Sequence, residues 1–136
     1  MFLTSLGVGL LVWVTVYLSI SASCMAIELP SKNSSWLWLI IIFPVAEELA
    51  FRGFLMGLLD KILPERKLGL ITLNNFLTSV LFSSAHLFAR SLTLGYLVFI
   101  PSLWLGWVKE QTSSISLCAA IHVTWNLGLF VAASLA

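Results

Sequence analysis

Charge is what this sequence has least of. Of its 136 residues only 10% are Asp, Glu, Lys or Arg, seven basic against six acidic, for a net charge of +1 with histidine neutral. A soluble globular domain usually carries about 25%. With neither a basic patch nor an acidic tail there is no electrostatic footprint for nucleic acid, and no such partner is expected. Cysteine is as scarce. Cys24 and Cys118 lie in separate apolar runs without the close spacing of a zinc or redox pair, so they read as small buried hydrophobes rather than a disulfide framework. The four prolines divide evenly. Pro30 and Pro64 fall in polar stretches that read as loops, while Pro44 and Pro101 interrupt apolar runs, where each removes a helix hydrogen bond and kinks or locally opens the helix.

What is abundant is apolar: 60% of the residues are hydrophobic and the mean hydropathy is +1.03. The runs predict an all-α fold, a polytopic membrane bundle of about five transmembrane helices near residues 2–27, 36–59, 68–89, 92–108 and 114–135, in one domain spanning 1–136. The uncharged first run reads as a retained helix, because a signal peptide would carry a basic segment ahead of it. Trp36 and Trp38 mark an interface with water. Lys61, Arg66, Lys67 and Lys109 on one side outnumber Lys32 and Arg90 on the other, which predicts an integral membrane protein with a cytoplasmic N-terminus.

Against that background the stretch Ala46-Glu47-Glu48-Leu49-Ala50-Phe51-Arg52 is an anomaly, since a charge at bilayer depth costs about 2.5–3.5 kcal/mol. Glu48 and Arg52 are four apart with the acid first, the favourable orientation for an ion pair on one helical face. Glu47 points about 100° away from Glu48 and has no such local partner, so it is the carboxylate free to address something else. In the third run Asn75, Ser79, Phe82 and His86 follow a 4-3-4 spacing and share a face that should look inward. The fifth carries His122 and Asn126 one turn apart. At 1.5 Å per residue, Glu47 and His122 each lie about 18 Å from the same end of the bundle, so they can meet; His86 is expected nearer that end.

A base for water, a proton donor for a leaving amine and fixed donors for an oxyanion are what peptide hydrolysis asks for, and these residue types supply them. Glu47-Glu48-x-x-x-Arg52, Phe82-x-x-x-His86 and His122-x-x-x-Asn126 stand in the order and helical setting of the CPBP family, the type II CAAX prenyl proteases and bacteriocin-processing (ABI) proteins. Over residues 44 to 130 the chain resembles a short prokaryotic-type member, with one helix ahead of the first motif. The resemblance implies an intramembrane glutamic endopeptidase of a prokaryotic inner membrane, acting on a membrane-anchored protein or peptide held with the lipid bilayer. It implies catalytic roles for Glu47 as general base, His86 and His122 beside it and Asn126 at an oxyanion hole, with Glu48 and Arg52 supporting. No cofactor is expected. The alternative is a zinc-dependent version in which Glu47, His86 and His122 are the ligands, two histidines and a carboxylate being a catalytic zinc set. An ion translocator would continue its polar groups to both ends, and a scaffold or immunity protein would keep the fold with a slack site.

Overall fold

The computed structural model describes residues 35–89 and 92–135, with side chains placed over 36–87 and 95–131. The expected first helix, the loop around Lys32, Cys24 and Arg90 lie outside the described residues.

Residues 35–62 form one continuous helical rod, α1, with two wide turns in it. Short α segments at Ser35–Leu37, Phe43–Glu48 and Met56–Ile62 alternate with π-helical segments at Trp38–Ile42 and Leu49–Leu55. Every junction along it keeps right-handed helical φ and ψ, so Pro44 does not break the rod. It sits at the start of an α segment, where a missing N–H is tolerated, and the strain is taken up as the wide turn before it. The rod ends at Ile62 because Leu63 precedes Pro64 and is pushed into extended backbone, φ −112° and ψ 143°.

A small antiparallel hairpin follows. Strands β1 (Lys67–Leu68) and β2 (Ile71–Thr72) pair Lys67 with Thr72 and Leu68 with Ile71. Gly69 supplies the positive φ, +73°, that the first position of this two-residue turn requires. Thr72 fastens the hairpin to two helices: its N–H and hydroxyl donate to Glu110 Oε1 at 3.1 and 2.7 Å, and its Oγ1 accepts the Asn75 N–H at 3.1 Å, capping the next helix.

That helix, α2 (Leu73–Ala89), packs along α3 (Leu92–Thr112) through polar groups. Asn75 Nδ2 donates to Leu103 O at 3.1 Å, Asn75 Oδ1 accepts from Ser79 Oγ, and Ser83 Oγ donates to Gly95 O. Gly106 lets the helices approach, since a Cβ there would lie inside the envelope of the Asn75 amide. Gly106→Ala should therefore displace Asn75, break its bonds and lower stability by about 1–3 kcal/mol, read by denaturant unfolding. An unchanged midpoint would mean the crossing is looser than this. The last helix, α4 (Ile115–Leu135), begins where Ser113 takes a left-handed φ of 54° and Ser114 Oγ accepts the Leu117 N–H. Leu105 and Val108 of α3 meet Cys118 and Trp125 of α4 in the apolar core, flanked by Trp104, Trp107 and Ile121.

Burial separates by polarity in an unusual way. Glu48, Arg52, Asn74, Asn75, Thr78, Ser79, Ser83 and Ser102 are all buried, while Phe54, Leu70, Tyr96 and Ile100 stand outside. With much of the interior given to hydrogen-bonded polar side chains, an apolar-rich chain of this size leaves large apolar groups on its surface.

Among the described residues no helix is both long and apolar enough to cross a membrane. The 17 residues of α2 extend about 25 Å, short of a hydrocarbon core of about 30 Å. The α1 rod carries Glu47, Glu48, Arg52, Asp60 and Lys61, and α3 carries an internal Pro101 and ends in Lys109 and Glu110. Four helices are present among these residues, and the expectation of a five-span transmembrane bundle is overturned. With it go the inner-membrane localisation with a cytoplasmic N-terminus, the lipid bilayer as partner and the membrane-anchored substrate. Hydropathy averaged over a run does not register where the folded helix stops or where its charges cluster.

Candidate active site

The site forms where α1 meets α4 on one side and α2 on the other. Glu47 and Glu48 end the α segment Phe43–Glu48, directly before the wide turn Leu49–Leu55. As neighbours on a helix they face different ways, and the structure gives them different surroundings.

Glu48 is buried completely. Its Oε1 accepts from Arg52 Nη1 at 3.0 Å, the expected pair one turn along, and also from His122 Nδ1 at 2.8 Å. The second contact is nonlocal. It places the acid assigned to a supporting role in the tightest contact with a candidate catalytic histidine, while Oε2 makes no hydrogen bond among the described residues.

Arg52 is equally buried and is held from the far side by α3. Its Nη2 donates to Ser102 O at 2.9 Å and to Ser102 Oγ at 2.7 Å, and its guanidinium lies 4.8 Å from the centre of the Phe82 ring. Burial pulls the Arg52 pKa below its ordinary value, and the Glu48 carboxylate pushes back. Buried charges are tolerable where they are paired and hydrogen-bonded, as these are. Ser102 was not legible as a site residue. Its only signal was a hydroxyl directly after a proline in the middle of an apolar run.

Glu47, by contrast, is about a third exposed. His86 Nε2 lies 3.9 Å from its Oε1 and His122 Nε2 lies 3.7 Å from its Oε2. Both histidines are oriented from behind. A carbonyl only accepts, so the 3.0 Å contact of His86 Nδ1 with Phe82 O puts the proton on Nδ1, and the Glu48 carboxylate does the same for His122. Each ring then turns its Nε2 towards Glu47. Phe82 forms the floor between them, its ring centre 4.5 Å from that of His86 and 6.2 Å from that of His122. Asn75, Ser79 and Phe82 are buried along the α2 face that carries His86, which therefore reaches the same depth as Glu47.

Asn126 is placed differently. Its Nδ2 donates to Leu39 O at 3.1 Å, two turns before Glu47 on α1. That bond uses one of its two N–H groups. The structure thus gathers Glu47, His86 and His122, with Glu48 and Arg52 behind them, and ties Asn126 one turn further along α4. Cys118, one turn before His122, donates weakly from Sγ to Leu105 O and Ser114 O. Burial and the nearby Glu48 raise its thiol pKa to about 11, so it stays protonated and serves as packing.

Among the described residues no three His, Cys, Asp or Glu side chains are arranged to hold a metal ion.

One family model, described as type II CAAX prenyl endopeptidase Rce1-like, matches residues 30–128. No curated protein and no solved structure matches the chain.

Proposed function

The chain belongs to the Rce1-like family of type II CAAX prenyl endopeptidases, and from that membership we propose that it hydrolyses a peptide bond with a water activated by Glu47. The intramembrane form of this activity, which the hydropathy implied, is not supported, because no described helix is long and apolar enough to cross a membrane. The observation that carries the proposal is the convergence of the Glu47 carboxylate with the Nε2 atoms of His86 and His122, 3.9 and 3.7 Å from its two oxygens. Contacts of this length are too long for direct hydrogen bonds and leave room for a bridging water, which can donate to the carboxylate and keep a lone pair for attack.

In this mechanism the water oxygen attacks the scissile carbonyl carbon while its proton passes to Glu47. Negative charge moves onto the carbonyl oxygen, where the second N–H of Asn126 acts as donor. The proton is then delivered to the amide nitrogen, through Glu47 or by way of His122 Nε2, as the C–N bond breaks. Glu48, paired with Arg52, holds the His122 ring through Nδ1 so that Nε2 is presented to Glu47. The buried carboxylate orients and the exposed one reacts.

The test is cleavage of C-terminal CAAX-type peptides, prenylated and unprenylated, by purified protein, followed by mass spectrometry before and after exhaustive chelation. Cleavage at a single bond, unchanged by the chelator, is expected. Loss on chelation with recovery on adding zinc would overturn the metal-free reading.

A further inference from the structure

We infer that Pro44 and Asn126, on different helices, form a register lock: Pro44 leaves a backbone carbonyl of α1 without its helical donor, and Asn126 of α4 takes it. In the wide turn Trp38–Ile42 the bonds run five residues back, and the Phe43 N–H donates to Trp38 O. The next rung would join residue 44 to Leu39 O. Residue 44 is proline and has no N–H, so Leu39 O is left open. Asn126 Nδ2 sits 3.1 Å from that oxygen. A partly buried carbonyl without a donor is costly, and an amide reaching across from another helix satisfies it.

The consequence is positional. Helix α4 touches α1 through two polar bonds one turn apart, His122 Nδ1 to Glu48 Oε1 and Asn126 Nδ2 to Leu39 O. Two attachments on one face fix both the rotation and the axial shift of α4, where one would leave it free to slide. Pro44 is thus a positioning residue for His122, acting through the register of α4 on α1. Only the catalytic consequence rests on the hydrolase reading; the lock is a property of the folded chain.

A double-mutant cycle tests it. Pro44→Ala restores an N–H, so Leu39 O gains a main-chain donor, from residue 44 if the wide turn persists or from Phe43 if it tightens to the α pattern. Asn126→Ala should lower the melting temperature by several degrees in the parent protein and by clearly less in the Pro44→Ala background. The downfield NMR signal of the His122 Nδ1 proton should broaden or shift in Asn126→Ala and stay so in the double variant, which gives Leu39 O a main-chain donor but does not restore the second attachment of α4. Asn126→Asp, which replaces the donor with an acceptor facing a carbonyl, should be at least as destabilising as Asn126→Ala, and this holds even if Pro44→Ala folds poorly. Equal Asn126→Ala losses in both backgrounds, or an Asn126→Asp protein as stable as the parent, would overturn the lock. None of these measurements uses cleavage, so their failure and that of the hydrolase reading are distinguishable.

Discussion

Glu47→Gln is expected to abolish measurable cleavage in a protein that folds normally. The substitution keeps the shape of the side chain and its ability to hydrogen-bond but removes the base, whose contribution in general base catalysis is about 10²–10⁴-fold. Stability should change little, because Glu47 is partly exposed and its contacts with His86 and His122, at 3.9 and 3.7 Å, are too long to be hydrogen bonds. The measurement is kcat on a cleaved peptide alongside thermal unfolding of the same preparation. Full activity in Glu47→Gln would remove the catalytic reading and leave a scaffold that keeps the family's fold. A loss of folding together with activity would instead show that Glu47 is structural.

Arg52→Ala should be the most destabilising single change in the site. It strands Glu48 in a fully buried position and removes the link to Ser102 on α3, and breaking a buried pair in this way costs about 3–5 kcal/mol. Glu48→Gln introduced alongside it removes the uncompensated charge while leaving an amide oxygen that can accept from His122 Nδ1. The double variant should therefore be more stable than Arg52→Ala alone in denaturant unfolding. If it is no better, the two residues are not energetically coupled and Glu48 depends mainly on His122.

In the proposed mechanism the same arrangement gives the two acids different roles. Glu48 has its charge matched by Arg52 and one oxygen shared between two donors, which makes it a fixed acceptor rather than a mobile base. Glu47 stands 3.9 and 3.7 Å from the two histidines, beyond hydrogen-bond distance, and remains open to solvent on one side, the condition a base needs in order to take a proton from water.

What the sequence determined by itself were the relations that helical geometry enforces within one segment. Glu48 pairs with Arg52 because they are one turn apart, and Asn75, Ser79, Phe82 and His86 share a face because of their spacing. Glu47 was separable from Glu48 on the same ground. Relations between segments were decided only by the tertiary structure. That His122 bonds Glu48 rather than Glu47, that Ser102 anchors Arg52, and that Asn126 takes the carbonyl opened by Pro44 depend on how α3 and α4 are rotated and shifted against α1, and spacing along one helix says nothing about that. Where composition misled was in the membrane bundle. Sixty per cent hydrophobic residues describe how much apolar surface the chain has. They do not say that the apolar runs will be divided by a hairpin, end at Ile62 before Pro64, and carry their charges together into a buried cluster, because those outcomes follow from backbone breaks and packing that an average over residues does not contain.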